Sequence, residues 1–580
     1  MKIKVSDYIA DFLYAQDVSY VFEMAGGMIA HLLDSLYQRQ KINIVSMHHE
    51  QAAAFAVDAC GRITGRVGVA LATSGPGATN LLTGIGSCYF DSSPALFITG
   101  QVNTHEQKQQ KNIRQLGFQE TDIVAMALPI TKKCYRIESA SEVVGVLHEA
   151  YQIAISDRPG PVLIDIPMNI QREMIDAAKP AKILNNTKYQ RLKSESDIFQ
   201  LEALISALRK AERPLILAGG GINAARAKEH FLQFAETLNV PVVTSLLGLD
   251  TIAFNHPLRA GFIGSYGNRW ANIALGEADC LIVLGSRLDI RQTGADTASF
   301  SKDKIIFHVD CEEAEINNRV ENCMPIITHL EIFFNVANEK LASYKAPEYK
   351  DWQEKIAHLK HEWPDTHELT NIKGINPNKF FHLLSDVSSV AAGYVVDVGA
   401  HQMWAAQSLE LLKQQFFLTS GGMGAMGFSL PAAIGASLSC SKQPVVVIIG
   451  DGCLQVNIQE LQTVIRNKIS IKIVVLNNQS LGMITQFQDS YFEGRYQSTY
   501  WGYDTPDFSA VGLAYGFKTK KIHTEDEVVN ALTWLWSDRM QPMLLEVMIQ
   551  PHLPVYPKIA FGRPISDMEP FVKPVDMEGT

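Results

Sequence analysis

The chain has 580 residues, 47% apolar and 19% charged, with a formal net charge of −10 and an isoelectric point near 5.9. That length exceeds what one hydrophobic core usually supports, so several domains are expected, and three is the working number. The acidic balance opposes nucleic-acid binding, which needs clustered basic charge, and no run approaches the ~18 apolar residues of a membrane span, which leaves small molecules as the expected ligands.

In chain order, the opening MKIKVSDYIADFLYAQDV places Asp7 and Asp11 where an export signal needs unbroken apolar sequence, and reads as an amphipathic helix. Eight cysteines lie between Cys60 and Cys453 without a C-x-x-C pair. That spacing argues against a zinc ribbon, a redox pair or a disulfide framework and fits a cytoplasmic location. Apolar runs then alternate with helical patterns: VGVALAT, ALFITG and PVLIDIP, next PLILAGGG, CLIVLGS and IIFHVD, and finally YVVDVG, PVVVIIGDG and IKIVVLNN. Runs of this kind mark strands buried on both faces of parallel sheets, so the expected fold class is α/β with three doubly wound parallel-sheet domains. Two polar, weakly patterned stretches, 171–195 and 340–372, read as linkers. They divide the chain into domains at 1–175, 190–345 and 365–550, with a tail at 551–580.

Ligands of open α/β sheets sit beyond the carboxyl ends of strands. The exits to search are AGG at 25–27, TSGPGATN at 73–80, AGGG at 218–221, TSGGMGAMG at 419–427, GDG at 450–452 and LNN at 476–478. Asp451 follows one buried strand, and Asn478 follows the next, about one strand-helix-strand unit further on. A carboxylate, an amide oxygen and a backbone carbonyl are the hard donors that Mg²⁺ takes beside water and phosphate oxygens. Asp451, Asn478 and Ser480 are therefore the candidate metal ligands. Gly450 and Gly452 let the backbone approach a diphosphate without a β-carbon. A Gly-Asp-Gly turn with no ligand reads the same in isolation, and the LNN segment is what favours the metal.

GDG followed by NN at this distance resembles the cofactor motif of thiamine-diphosphate enzymes. Such enzymes need a glutamate in their first domain, and Glu50 of HHEQAAAFAVDACGR matches it. A structural glutamate at the positive end of a helix would look alike. The resemblance implies that Glu50 hydrogen-bonds the cofactor's aminopyrimidine ring and drives its activation. It further implies that Met426 wedges between the cofactor's rings, and that Gly399, His401 and Gly424 line diphosphate and pyrimidine. The three domains would then be pyrimidine-binding, central FAD-type and diphosphate-binding.

Similarity to the acetohydroxyacid (acetolactate) synthases extends over essentially the whole chain, through HEQAAAFA, ATSGPGATNLLTGI, FITGQV, FQETDIV, AHQMWAAQ and TSGGMGAMGFSLPAAIGA. It implies decarboxylation of pyruvate and transfer of a two-carbon unit to an acceptor carbonyl. The assembly would be a homodimer or homotetramer whose half-sites meet across an interface. Gly27 and Gln119 would lie near the substrate, and Lys132 at the edge of the channel. LAGGGINAAR (217–226), GSRLDIRQTG (285–294) and HVD (308–310) resemble three flavin-contact segments. FAD is thus implied as a second cofactor, held by Gly219, Gly220, Gly221, Arg287, Asp289 and Asp310, although no net redox step requires it.

The chain departs from that family where acceptor and flavin are expected. Ile290 replaces the second Asp of an Asp-Asp-Arg triplet, Phe487 replaces a tryptophan, Ala400 a glutamine and Tyr266 a histidine. Arg291 is expected to hold an acceptor carboxylate by a charge-assisted hydrogen bond, with Phe487 and Met483 shaping the pocket. The tail PVYPKIAFGRPISDMEPFVKP resembles thiamine-diphosphate proteins of bacterial polysaccharide clusters, so a keto-sugar nucleotide is the alternative acceptor to a 2-oxo acid. A pyruvate oxidase, a simple decarboxylase and a non-catalytic homologue are weaker alternatives. Retention of Glu50, Asp451 and Asn478 opposes the last.

Overall fold

A computed structural model describes residues 2–183 and 195–575. Within them lie three six-stranded sheets, each wholly parallel, as the apolar runs predict. The first sheet has the order Asn43–Ser46, Tyr20–Met24, Gly68–Ala72, Ala95–Gln101, Pro161–Pro167, Lys133–Arg136. The second runs Arg259–Phe262, Val242–Thr244, Pro214–Ala218, Cys280–Leu284, Ile305–Asp310, Met324–Ile327. The third runs Phe416–Leu418, Gly393–Val396, Val445–Gly450, Ile471–Asn477, Met543–Met548, Lys518–Ile522. Strands such as Ala95–Gln101, Cys280–Leu284 and Ile471–Asn477 are buried along their whole length, which is why they read as unbroken apolar runs.

In every sheet the chain winds outward one way and then returns to wind the other. The reversal falls between Tyr20–Met24 and Gly68–Ala72, between Pro214–Ala218 and Cys280–Leu284, and between Gly393–Val396 and Val445–Gly450. The crevice at such a reversal is where open α/β sheets bind ligands. Four of the six exits around these reversals, those after Met24, Ala72, Ala218 and Ile449, are among the exits singled out by sequence; those after Leu284 and Val396 are not.

The first and third sheets share a core. Helix Glu50–Thr64 presents Ala52, Ala53, Ala56 and Ala59, and helix Ser429–Ser439 presents Ala432, Gly435 and Ala436, all buried. The backbones come so close that a β-carbon on Gly435 would lie 2.1 Å from the Ala56 carbonyl oxygen. Cys60 Sγ donates to the Gly435 carbonyl at 3.3 Å, and Phe55 meets Phe428 edge-on at 5.3 Å.

The stretch 340–372, expected as a linker, holds helix Lys350–Glu362. Trp352 Nε1 donates to the Pro214 carbonyl at 3.0 Å, and Tyr349 donates its hydroxyl to the Leu208 carbonyl at 2.7 Å. This helix is part of the central core. Its buried face is narrow, carried mainly by Trp352 and Ile356, so its periodicity was weak in the sequence. Of the other expected linker, Met168–Arg172 is helical and Met174–Asp176 pairs antiparallel with Lys2–Lys4, while 184–194 lies outside the described residues.

The tail lies across the second and third sheets. Gln486 clasps both backbone groups of Val555 at 3.0 Å, and Ile559 N donates to the Ser265 carbonyl at 2.8 Å. Arg269 holds Glu368 with two bonds of 2.7 Å and also reaches the Glu569 carbonyl at 3.1 Å. Among the described residues no helix is long and apolar enough to cross a membrane. All eight cysteines are free.

Candidate active site

A cleft of about 1090 Å³ is lined by residues of all three sheets. The third sheet supplies its most polar wall. Gly399 and Gly450 leave the two exits against the His401 ring, where a β-carbon on either would lie 2.7 Å from Cε1. Burial lowers the His401 pKa to about 3, so the ring is neutral, and its Nε2 has no hydrogen-bond partner among the described residues. Asp451 accepts from the Gly452 N–H at 2.7 Å through Oδ1, while its Oδ2 is buried and unpartnered. Burial pushes this carboxyl up to about 7. The Ser480 hydroxyl is likewise buried and unpartnered, and Asn478 lines the same wall.

An unpartnered buried polar atom costs on the order of 1–3 kcal/mol. Three of them on one wall fit a polar, charged ligand. Asp451, Asn478 and Ser480 supply oxygens of the kind a divalent cation takes. Gly424, with open space where a β-carbon would stand, leaves room beside them. A metal-bound diphosphate is consistent with every one of these features.

Met426, also in the cleft, rides on the 419–427 loop, which is pinned at both ends. Asp91 accepts from Gly421 N at 2.9 Å and Gly422 N at 2.7 Å, and Asp397 accepts from Gly427 N at 2.9 Å and Ser429 N at 2.7 Å.

The first sheet builds a second constellation. Glu50 opens its helix and is buried; Asn80 Nδ2 donates to its Oε2 at 2.9 Å. A β-carbon on Gly77 would lie 2.8 Å from Thr73 Cγ2 and 3.2 Å from Glu50 Oε1, and one on Gly26 would strike Thr73 at 2.4 Å. Gly27 follows directly, starting a short turn of helix. Gln119 adopts a left-handed backbone, φ +67°, and its Cβ would lie 3.0 Å from a β-carbon on Gly75. Such a conformation is uncommon away from glycine and often marks a functional turn. The AGG, HEQ, TSGPGATN and FQET segments therefore converge. None of Gly27, Glu50 and Gln119 lines the cleft that holds Asp451.

In the second sheet, Gly220, Gly221, Arg287, Asp289, Arg291 and Asp310 line the cleft. Gly219 does not: its β-carbon would meet the Gly285 carbonyl oxygen at 2.1 Å, so this glycine serves contact between two loops. Asp289 caps the turn by accepting from Arg291 N at 2.9 Å and pairs with Arg287 at 3.5 Å. Burial raises the Asp310 carboxyl, which accepts from Glu312 N at 3.0 Å. Ile290 is 60% exposed, so the residue replacing the family's acid buries no apolar contact.

Met483 and Tyr266 line the cleft; Phe487 does not. Phe487 packs instead against Tyr491, tilted at 4.8 Å between centroids, and Phe492, edge-on at 5.8 Å. Lys132 is also outside it. Its ammonium donates to the Ile153 and Ser156 carbonyls at 2.6 and 2.7 Å, closing the end of helix Val143–Ile155. Burial lowers its pKa. Three residues entered from the structure alone. Asn80 was within reach of the sequence, as the last residue of TSGPGATN. Asp91 carries no local motif. Tyr503, whose hydroxyl is buried beside Asp451, sits in an aperiodic turn with no signal at all.

The sequence matches three family models in succession: thiamine pyrophosphate enzyme, N-terminal TPP binding domain, over residues 3–126; the central domain of such enzymes over 201–336; and their C-terminal TPP binding domain over 397–547. Each match falls on one of the three sheets, and the chain belongs to the thiamine pyrophosphate enzymes. Its curated relatives narrow the branch. The acetolactate synthase large subunit of Lactococcus lactis subsp. lactis (strain IL1403) is 36% identical over 560 residues, 96% of this chain and 94% of that one. The acetolactate synthase isozyme 2 large subunit of Escherichia coli (strain K12) is 35% identical over 568 residues, 97% and 98% of the two chains. A probable acetolactate synthase large subunit of Methanocaldococcus jannaschii is 36% identical over 569 residues. The resemblance drawn from the motifs is thus borne out along nearly the full length, in the acetolactate synthase-like branch of the family.

Proposed function

We propose that this chain is an acetolactate synthase-like carboligase, which decarboxylates pyruvate and joins the remaining two-carbon unit to the carbonyl of an acceptor, a second 2-oxo acid. The observation that carries the reading is the wall of unpartnered His401, Asp451 and Ser480 atoms inside the segment matching the C-terminal TPP binding domain. Thiamine diphosphate, when bound, supplies the nucleophilic carbon and the electron sink that decarboxylation and ligation need. Asp451, Asn478 and Ser480 would hold Mg²⁺, and His401 would offer its neutral ring nitrogen to the diphosphate. Met426 would support the cofactor from its pinned loop. Glu50, oriented by Asn80, would carry a proton to and from the aminopyrimidine at a carboxylate oxygen.

A homodimer follows in this reading, with Glu50 of one subunit facing Asp451 of the other. Glu50 stands outside its own chain's cleft, and both half-sites carry exposed apolar side chains: Phe118 is 80% exposed beside Gln119, and Met423 42% near the cleft. Such patches mark association surfaces. We also propose FAD along the second-sheet wall, from Gly220 and Gly221 to Arg287 and Asp310, because the cleft exceeds the ~300–1,000 Å³ of an ordinary single-ligand pocket. Arg291, whose guanidinium has no hydrogen-bond or ion-pair partner among the described residues, is the proposed acceptor-carboxylate clamp. The relatives are named large subunits, which supports a smaller partner subunit as a further expectation.

The test is mass-spectrometric product analysis after incubation with pyruvate, thiamine diphosphate, Mg²⁺ and FAD. Acetolactate is expected. CO₂ release with little acetolactate would overturn the 2-oxo-acid acceptor and make keto-sugar nucleotides the next acceptors to try. No CO₂ release would overturn the donor assignment.

A further inference from the structure

Behind the proposed metal wall stands a residue that neither the motifs nor the proposed chemistry uses. Tyr503 is half-buried and its hydroxyl is fully buried, without a hydrogen-bond partner among the described residues. It lies 2.9 Å from the point where a β-carbon on Gly452 would stand, crowding that point together with Leu481 Cδ2 at 2.9 Å and Met426 Cε at 3.3 Å. A side chain at 452 would crowd the phenol where it approaches the Asp451 loop.

The approach is built into the chain. Leu481 N donates to the Thr499 carbonyl at 2.9 Å, and Tyr503 N donates to the Tyr500 carbonyl at 3.2 Å. The Thr499 hydroxyl donates to Gln488 Oε1 at 2.5 Å. These bonds fasten the turn carrying Tyr503 to the loop carrying Asn478 and Ser480 and to the helix that follows it. An ionised carboxylate offers about four acceptor positions on two oxygens. At Asp451, Oδ1 already accepts from Gly452 N, and Oδ2 is buried and unpartnered. A tyrosine hydroxyl, ordinarily ionising near pH 10, is a donor at neutral pH.

We propose that Tyr503 is a positioning residue for the divalent cation: its hydroxyl donates to Asp451 and fixes the rotation of the carboxylate, leaving one lone pair aimed at the metal. The proposal rests on Asp451 being a metal ligand. It assigns Tyr503 the outer-shell role that orients a ligating group, a contact whose loss typically weakens metal binding about 10–100-fold.

The experiment compares wild type, Tyr503→Phe, Asp451→Asn and the double variant by calorimetric titration with Mg²⁺ in the presence of thiamine diphosphate, and by Mn²⁺ electron paramagnetic resonance. Phenylalanine keeps the ring that packs over Gly452, so the thermal midpoint of the cofactor-free Tyr503→Phe protein should match wild type. Its Mg²⁺ affinity should fall about 10-fold or more, with a broadened Mn²⁺ spectrum, and Tyr503→Phe should add nothing in the Asp451→Asn background. Unchanged or tighter Mg²⁺ binding by Tyr503→Phe overturns the proposal. So does a loss that persists undiminished in the Asp451→Asn background, which would mark a general packing role. Failure of wild type itself to bind Mg²⁺ would overturn the metal reading of Asp451 instead, and wild-type binding that survives Asp451→Asn would do the same.

Discussion

The first and third sheets have one and the same strand order, in which the second strand of each flanks the first and the sixth lies inside the fifth, yet their crevices carry opposite chemistry. In the first, the one functional carboxylate is already served: Asn80 donates to Glu50, and Gly77 and Thr73 close around it. In the third, His401 Nε2, Asp451 Oδ2 and Ser480 Oγ are buried in residues that line the cleft and have no partners among the described residues. Topology therefore decides where a ligand sits, and the residue types at the strand exits decide what it is. The central sheet, with its strands in a different order, makes the point from the other side: there the exits pack glycine on glycine, Gly219 and Gly221 against Gly285, and the polar contacts fall to loops further out.

The sharpest way to break this comparison is to substitute one carboxylate in each half. Glu50→Gln should lower turnover about 10²–10⁴-fold, the usual weight of a proton-transferring group, while thiamine-diphosphate affinity holds. Asp451→Ala should do the reverse, cutting cofactor affinity by more than about 100-fold, beyond what loss of an outer-shell contact costs. Steady-state kinetics beside calorimetric cofactor titration separate the two, and identical behaviour of the variants would dissolve the distinction.

A smaller effect is expected where the halves meet. Gly435→Ala pushes a methyl group into the Ala56 carbonyl and should destabilise the protein by about 1–3 kcal/mol, read from the denaturant midpoint. A wild-type midpoint would mean that the two helices yield easily.

The smallest effect concerns the join between the second and third sheets. His382 donates toward Asp365 at 2.9 Å and Glu410 at 2.7 Å, with Arg259 nearby. Burial alone would lower its pKa, but the bond and charge of Asp365, then of Glu410, outweigh burial and raise it. A raised folded-state pKa gives stability that is complete below the unfolded value near 6.5 and is lost as pH climbs through the folded value. Stability should thus decline with pH in that window, by up to about 1.4 kcal/mol per pH unit for one proton, and His382→Gln should flatten the decline. Parallel pH–stability curves for the two proteins would remove His382 from the account.

Much of the architecture was legible because nine apolar runs coincide with strands buried on both faces. Two edge strands were not: Lys133–Arg136 and Lys518–Ile522 carry lysines, as sheet edges usually do, so neither stands out as an apolar run. Helix Lys350–Glu362 was mistaken for a linker because two main buried residues sufficed to dock it. At the site, Asp451 and Asn478 were readable as polar residues at the ends of apolar strands, and Glu50 as the opening of a helix. Lys132 and Phe487 were read through resemblance alone, and the structure gives both local structural contacts outside the cleft. Tyr503 could not have been foreseen, since what matters is the glycine gap through which it reaches.

The crossing of helices Glu50–Thr64 and Ser429–Ser439 also sets a timetable. Cys60 and Gly435 touch across 375 residues of chain, and the ribosome adds roughly 5–20 residues per second. The alanine face of the first helix therefore emerges roughly twenty seconds to more than a minute before its cover is made. In that interval the central sheet is synthesised, while the first sheet, its six strands complete by residue 167, still lacks the helix that covers it. Throughout that interval the alanine face is transiently exposed apolar surface, of the kind that makes unfinished chains prone to aggregate.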